Sequence, residues 1–277
     1  MSALAAPLLS AAQVEGAIAI ARAAAAAILQ VYDSEFEVER KSDASPVTAA
    51  DLAAHHLILD GLAELTPDIP VLSEESAHEV DFEQRRCWSR LWLVDPLDGT
   101  REFVKRNGEF SVNLALIDDG APVFGLVLAP VGGALWHAQR GGPAYRRDGD
   151  AEREIRVRSP AARPLRVAAS RSHFSEHSEQ FMVRAHRAAP DGIRMVSLGS
   201  SLKFCRIAEG ELDLYPRFGP TSEWDTAAGQ CVLEAAGGAL VDPQGRPFRY
   251  NQRTHILNGD FVAFGDRSLP WKEWLDG

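Results

Sequence analysis

The chain has 277 residues, in which 39 Asp and Glu against 29 Lys and Arg give a formal net charge of -10. Its 45% hydrophobic and 25% charged residues are typical of a globular protein, long enough to bury a sizeable core in one large or two modest domains. The acidic balance excludes a nucleic-acid polymer as the expected partner, because binding to a phosphate backbone depends on basic patches.

The first predicted element is a helix in the alanine-rich run "AIAIARAAAAAILQVYD", which consists largely of strong helix formers. Arg22 interrupts the run, no basic segment precedes it, and its apolar part is shorter than the roughly 20 residues that span a bilayer. We therefore expect a core helix rather than a signal or a transmembrane segment. The expected location is cytoplasmic, with peripheral attachment to the cytoplasmic face of the inner membrane as an alternative.

The second predicted helix lies in "VTAADLAAHHLILDGLAEL", where Thr48 suits the N-cap. Asp51 falls in or near the first turn, where the helix dipole favours a carboxylate. His55 and His56 are adjacent, so they point in different directions on a helix and cannot chelate one ion together. We expect them to be packing and surface residues.

The next predicted elements are strands, because short apolar runs are bounded there by turn residues. Tight connections such as "DDGAP" and "APVGG" favour an antiparallel meander over repeated βαβ units. The runs are "IPVLS", "LWLVD", "FSVNLALID", "VFGLVLAP", "ALWHAQ", "EIRVR" and "LRVAAS".

Beyond about residue 160 the pattern changes to alternating strands and helices. Helices are predicted near 175–188, at "SLKFCRIAEG" and from Asp225 to about Ala236, and strands at "IRMVSL", "ELDLYP", "GALVD" and "FVAF". These patterns predict an antiparallel-rich α+β half at 1–160 and an α/β half at 161–277, with the boundary near "RSPAARP". We expect the functional site in the cleft between the two halves.

The cysteines, Cys87, Cys205 and Cys231, are odd in number and far apart in the sequence. Their spacing does not match a zinc knuckle, and an odd count cannot be fully paired within one chain. We therefore expect free, mostly buried thiols in a reducing compartment.

Acidic residues stand at the ends of several predicted elements. Each alone has a structural explanation as a helix cap, a dipole partner or a solvated turn charge. Together they predict a hard-cation site, because Mg²⁺ takes oxygen ligands and converging carboxylates without a cation would repel one another. These residues are Asp51, Glu74, Glu75, Asp95, Asp98 and Asp225.

The turn "DPLDGT" at 95–100 predicts an anion site beside this cluster. Pro96 suits the first position of a helix that follows Asp95, and Gly99 permits close approach to the backbone. The amides around Gly99 and Thr100 would then lie at a helix N-terminus, where a phosphate is favoured.

Four separated motifs resemble those of the inositol monophosphatase superfamily, whose members are magnesium-dependent, lithium-sensitive phosphatases. The motifs are Asp51, "EES" at 74–76, "DPLDGT" at 95–100, and "WD" at 224–225 followed by Gly237 and Gly238. They occur in order and cover nearly the whole chain. The resemblance implies a layered αβαβα sandwich. The longer strings "WLVDPLDGTREFVKRNGEFSVNLALI" and "GSSLKFCRIAEGELDLYPRFGPTSEWDTAAGQ" look like the bacterial 3'(2'),5'-bisphosphate nucleotidases of that superfamily.

The resemblance also implies residue roles. It assigns Asp51 and Thr100 to orienting and deprotonating the attacking water, and it leaves Glu75 outside the ligand set. Arg217 could equally be a surface arginine, and His173 a capped loop histidine. The implied ligands of two or three Mg²⁺ ions are Glu74, Asp95, the Leu97 carbonyl, Asp98 and Asp225. The implied substrate contacts are Gly99, Thr100, Arg171, His173, Ser200, Lys203 and Arg217.

The implied activity is in-line hydrolysis of the 3'-phosphate of adenosine 3',5'-bisphosphate, a by-product of sulfate activation, to AMP and phosphate. An inositol or sugar phosphate monoesterase is the alternative within enzymes. A non-catalytic phosphate- or metal-binding relative is the alternative from another class, and such a protein would be expected to lack an acid or Thr100. The expected partner is a small nucleotide bisphosphate, and the sequence leaves the oligomeric state open.

Overall fold

A computed structural model describes residues 8–34, 38–40, 46–170 and 175–275. Within these ranges the helices are α1 (Ala11–Tyr32), α2 (Ala49–Leu65), α3 (Phe82–Arg85), α4 (Thr100–Val104), α5 (Glu176–Ala188), α6 (Leu202–Ala208) and α7 (Ala227–Ala235). Short 3₁₀ helices occupy Glu74–Glu79, Glu223–Asp225 and Trp271–Trp274.

The strands form three sheets. In chain order they are β1 (Val38–Arg40), β2 (Pro46–Thr48), β3 (Val71–Ser73), β4 (Arg90–Asp98), β5 (Ser111–Asp118), β6 (Ala121–Leu128), β7 (Ala134–Gln139), β8 (Ala144–Asp148), β9 (Ala151–Ile155), β10 (Leu165–Ser170), β11 (Ile193–Leu198), β12 (Leu214–Arg217), β13 (Ala239–Val241) and β14 (Phe261–Phe264).

A seven-stranded sheet has the order β3-β4-β5-β6-β7-β8-β9. Its neighbours are antiparallel apart from the parallel pair β3 and β4, so it contains the meander that the sequence predicts. A five-stranded sheet has the order β11-β10-β12-β14-β13, with β10 parallel to β11 and β12. Strands β1 and β2 form a separate antiparallel pair.

The two faces of the large sheet bury different helices. Leu114 and Leu116 of β5 join a core with α1 and α2, whereas Ala115 and Ile117 join a core with α6 and α7. This division follows from the period of two in a strand, which sends successive side chains to opposite faces. A strand buried on both faces therefore appears as the continuous apolar run of β5.

The small sheet adds the remaining layers. Its inner side chains, such as Tyr215 and Phe261, join the core that contains α6 and α7. Its outer side chains pack on α5 and the last 3₁₀ helix through Phe181 and Trp274. The resulting order of layers is the αβαβα sandwich that the family resemblance implies.

Helix α1 passes a simple test for a membrane span by length and hydropathy, a test that core helices of globular proteins also pass. The face of α1 that carries Ala17, Ala21 and Ile28 is buried, and the helix packs on α2 and β5. In this fold α1 supplies one face to the core.

Several element boundaries differ from the predictions. "EIRVR" lies mostly beyond its strand, which ends at Ile155, and the "ELDLYP" strand begins only at Leu214. Helix α7 begins at Ala227, because residues up to Asp225 form a 3₁₀ turn. Sequence reasoning missed β1, β2 and the half-buried β8. Cys205 and Cys231 are buried free thiols as predicted, but Cys87 is exposed.

Candidate active site

A cavity of about 360 Å³ opens where β4, α4, α6, β12 and the 3₁₀ turn before α7 converge. Glu74 and residues 98–102 line it from the first half of the sequence. From the second half the lining includes Gly199, Ser200, Lys203, Phe204 and Asp225. The cavity therefore draws its lining from both parts of the sequence.

Three carboxylates converge at the base of this cleft. Asp95 and Asp98 lie at the end of β4, and Asp225 ends the 3₁₀ turn before α7. One carboxylate oxygen from each residue lies within 4.8 Å of the others. Such spacing lets the three oxygens share one small cation or a pair of cations.

Burial and mutual repulsion make this cluster unfavourable without a positive charge. The pKa of Asp95 is raised well above its usual value, first by burial and then by Glu74, Asp98, Asp225 and Asp51. Burial likewise raises the pKa of Asp225, with further contributions from Asp98 and Glu74. Because the same groups appear in both cases, the acids act as one electrostatic unit, and a divalent cation would remove its repulsion.

Hydrogen bonds fix one oxygen of each carboxylate. The Leu97 amide donates to Asp95 Oδ1 at 3.0 Å, and the Ser222 amide donates to Asp225 Oδ2 at 2.8 Å. Among the described residues, the donors to Asp98 all end on Oδ2. Within the described ranges, the second oxygen of each carboxylate is thus available to a cation.

The donor set fits magnesium. The converging atoms are carboxylate oxygens of Asp95, Asp98 and Asp225. The Leu97 carbonyl, predicted as a further ligand, accepts a hydrogen bond from the Thr100 hydroxyl at 3.3 Å. Oxygen-only ligation of this kind suits a hard divalent cation rather than zinc or copper.

The "DPLDGT" turn has a different local structure from the predicted one. Pro96 does not begin a helix, because β4 continues to Asp98 with a register shift against β5 between Asp95 and Asp98. Proline is tolerated at such an irregularity because it needs no ladder hydrogen bond there. Helix α4 begins instead at Thr100, after Gly99 at φ 94°, so the amides of Gly99 and Thr100 do lie at a helix start.

Asp51 lies in the first turn of α2 and is only 1% exposed. Its charge contributes to the raised pKa of Asp95, which places it near the cluster. Thr100 lines the cleft itself. His55, one turn after Asp51, is buried and hydrogen-bonded through Nδ1 to the Ser73 hydroxyl at 2.9 Å, whereas His56 is exposed.

Five of the residues predicted to contact substrate line the cleft, namely Gly99, Thr100, Ser200, Lys203 and Arg217. Arg171 and His173, predicted for the same role, lie outside the described residues. Lys203 and Arg217 are both buried. They are therefore not surface cations, and they bring positive charge next to the acids.

Lys203 is fixed by backbone carbonyls. Its Nζ donates to Ser200 O at 2.6 Å and Leu198 O at 3.2 Å, and it lies 5.1 Å from the centre of the Tyr215 ring. Burial lowers the pKa of Lys203 to about 8, with Asp98 opposing that shift. Arg217 Nη2 donates to Pro220 O at 2.9 Å.

Sequence reasoning missed the apolar and supporting parts of the site. Tyr215, Leu257 and Phe261 line the cleft and give it a wall suited to a flat ring. Ser201 and Asn113 both donate hydrogen bonds to Asp98 Oδ2. The "GSSLK" string could have pointed to Ser201, since it precedes a predicted helix, but no pattern linked Asn113 of β5 to the site.

Comparison with known proteins agrees with this geometry. The inositol monophosphatase family model matches residues 11–266. The chain belongs to the inositol monophosphatase family. Members of the family are metal-dependent phosphatases, generally using Mg²⁺, and the layered fold matches solved family members. The prediction of this family from the four motifs is confirmed.

Named relatives are similar over most of their length. The 3'(2'),5'-bisphosphate nucleotidase CysQ of Escherichia coli K12 is 50% identical over 244 residues, 87% of this chain and 95% of that protein. Among solved structures, CysQ of Bacteroides thetaiotaomicron has a TM-score of 0.81 at 37% identity, covering 93% of this chain and 98% of its own. An inositol monophosphatase from Zymomonas mobilis has a TM-score of 0.77 at 26% identity, covering 97% and 100%.

Proposed function

We propose that this protein is a magnesium-dependent 3'(2'),5'-bisphosphate nucleotidase. It hydrolyses the 3'-phosphate of adenosine 3',5'-bisphosphate to AMP and phosphate, in connection with sulfate assimilation, and its proposed location is the cytoplasm. The observation that carries the proposal is the pairing of one carboxylate cluster with two buried cations, Lys203 and Arg217, in one cleft. A substrate with two phosphates needs both features, and the 50% identical relative bears this enzyme name.

The proposed ligands divide between the two halves of the chain. Residues 1–160 supply Glu74, Asp95, the Leu97 carbonyl and Asp98, and residues 161–277 supply Asp225 and the nucleotide contacts. Two or three Mg²⁺ ions held there would neutralise the charge that develops on the attacking and leaving oxygens.

The protein's own groups direct the water and the substrate. Asp51 takes a proton from the attacking water, and the Thr100 hydroxyl, anchored on Leu97 O, fixes the position of that water. Water oxygen bonds to phosphorus as the bond from phosphorus to the 3'-oxygen breaks, and the leaving oxygen takes a proton from solvent water to become the 3'-hydroxyl. The amides at Gly99 and Thr100 bind oxygens of the transferred phosphate.

The other phosphate and the base contact the far side of the cleft. Lys203, Arg217 and Ser200 bind the 5'-phosphate, since only one phosphate can occupy the acidic cluster. Tyr215 and Phe261 contact the adenine, and by resemblance Arg171 and His173 complete the nucleotide contacts.

An inositol or sugar phosphate monoesterase is the second candidate, favoured by the fold that the chain shares with the Zymomonas mobilis inositol monophosphatase. The same acids would serve that reaction. A substrate with one phosphate, however, would bring no second anion to Lys203 and Arg217, and burying two cations costs free energy that such an anion would offset.

The deciding experiment measures phosphate release from adenosine 3',5'-bisphosphate and from inositol 1-phosphate, with Mg²⁺ and with a chelator. We expect Mg²⁺-dependent turnover with a higher kcat/KM for the bisphosphate, and no turnover by Asp225→Asn. A preference for inositol 1-phosphate would establish the monoesterase instead, and turnover that survives chelation would refute the metal assignment.

A further inference from the structure

Ser201 joins the two parts of the acidic cluster. This residue is 2% exposed and directly precedes α6. Its amide donates to Asp98 Oδ2 at 2.6 Å, and its hydroxyl oxygen lies 2.6 Å from the same Oδ2 and 2.7 Å from Asp225 O. The single hydroxyl hydrogen serves one of these two oxygens at a time, while the backbone donor holds Asp98 continuously.

Residues of β5 support Ser201 from the other side. Asn113 Nδ2 donates to Ser201 Oγ at 2.9 Å and to Asp98 Oδ2 at 3.2 Å. The Ser111 hydroxyl donates to Asn113 Oδ1 at 3.0 Å and orients that amide. Because Asn113 donates to both partners, Ser201 and Asp98 are held by the same strand.

The backbone before Ser201 is shaped to place it there. Ser200 has a left-handed φ of 47°. A Cβ on Gly199 would lie 2.4 Å from Glu109 O and 2.7 Å from Glu102 Cγ, so only glycine allows this approach. The Gly199 amide also donates to Glu109 Oε2 at 2.9 Å. The loop is thus fastened to the first half of the chain immediately before it reaches Asp98.

We propose that Ser201 is a positioning residue, which sets the Asp98 carboxylate for metal binding and holds Asp225 at a fixed distance from it. The inference rests on the proposed function, since it takes Asp98 and Asp225 as metal ligands. The hydrogen bonds on Asp98 Oδ2 direct Oδ1 to the cation, and the contact with Asp225 O ties the ligand from the second half to the ligand from the first. Groups that orient a metal ligand typically change metal affinity by about 10- to 100-fold when removed.

The test is Mn²⁺ binding by titration calorimetry without substrate, so that it does not depend on turnover. We expect Ser201→Ala to bind Mn²⁺ about 10- to 100-fold more weakly than wild type. Ser201→Thr keeps the hydroxyl and should restore most of the affinity. Ser178→Ala removes another buried serine hydroxyl, on α5 and outside the cleft, and should bind as wild type does.

Thermal unfolding of the metal-free proteins separates positioning from general damage. We expect Ser201→Ala and Ser178→Ala to unfold within a few degrees of wild type. The inference is overturned if Ser201→Ala binds Mn²⁺ like wild type, or if its loss of affinity comes with a much larger fall in Tm than the control shows. A wild-type protein that binds no Mn²⁺ would instead refute the proposed metal-dependent function.

Discussion

Asp95→Asn should separate stability from activity in this protein. Asp95 is 1% exposed and surrounded by other acids, so its charge is unfavourable when no cation is present. The asparagine has nearly the same shape and can accept a hydrogen bond from the Leu97 amide as Asp95 does, but it carries no charge. We therefore expect the metal-free variant to be at least as stable as metal-free wild type at neutral pH, and yet inactive.

Bound Mg²⁺ should raise the Tm of wild type. Mg²⁺ at a hundredfold excess over its dissociation constant stabilises the folded state by about 2.7 kcal/mol per ion. For 277 residues an unfolding entropy of about 0.6 kcal/mol/K converts this into a rise in Tm of about 5 °C per ion. The variant should show a much smaller rise, because it loses the most buried ligand of the cluster.

The stability of the metal-free wild type should fall with rising pH relative to that of Asp95→Asn. A carboxyl whose folded pKa is raised binds its proton more tightly in the folded state, so metal-free wild type loses stability as pH rises from the unfolded value toward the raised one. Asparagine does not titrate. The Tm of metal-free Asp95→Asn minus that of metal-free wild type should therefore increase as the pH rises above the usual range of carboxyl pKa values.

The assay is thermal unfolding by circular dichroism in chelator and in Mg²⁺, with phosphate release measured on the same samples. Asp60→Asn, an exposed acid on α2, is the control and should change neither quantity. The reasoning would be refuted if Asp95→Asn destabilised the metal-free protein by several degrees, or if Mg²⁺ raised its Tm as much as that of wild type.

Four further predictions concern the cleft and the core. Lys203→Met should lower kcat/KM for adenosine 3',5'-bisphosphate by roughly 10- to 100-fold, since a charge-assisted contact is worth about 1.5–3 kcal/mol. Its kcat/KM for inositol 1-phosphate should change little, and the exposed control Lys105→Met should leave both values unchanged. Equal losses on both substrates would contradict the phosphate contact. Wild-type kcat/KM for the bisphosphate should fall above about pH 8, where Lys203 loses its charge, and a flat profile to pH 9.5 would exclude that group. Thr100→Ala should reduce kcat by roughly 100-fold with little change in KM, whereas an effect on KM alone would indicate substrate positioning. Glu209→Gln should lower the free energy of unfolding, measured with a chemical denaturant, by about 3 kcal/mol while activity persists. The reason is that the buried Glu209 carboxylate accepts hydrogen bonds from Arg146 and Arg206 at 2.8 Å. Unchanged stability would show that these ion pairs contribute little.

The sequence by itself determined the helices, most strands and the chemistry of the acids. Long periodic or continuous apolar segments such as α1 and β5 can be predicted from local sequence, because the spacing of buried side chains follows from the geometry of the helix or strand itself. The four motifs, "DPLDGT" among them, likewise identified the family, since their positions have local chemical requirements. For the same reason local rules failed at Pro96, where pairing of β4 with β5 extends the strand through a residue that would suit a helix start.

Only the tertiary structure decided which residues surround the acids and how they are held. Asn113 lies on an apolar strand and Ser201 in a loop 88 positions later in the chain, yet a hydrogen bond of 2.9 Å joins them behind Asp98. Likewise, burial of Lys203 and Arg217 follows from the packing of α6 and β12 around the cleft, and their side-chain types alone suggest the surface. Such facts depend on how the two larger sheets and their helices pack together, and no short stretch of sequence encodes a contact between distant elements.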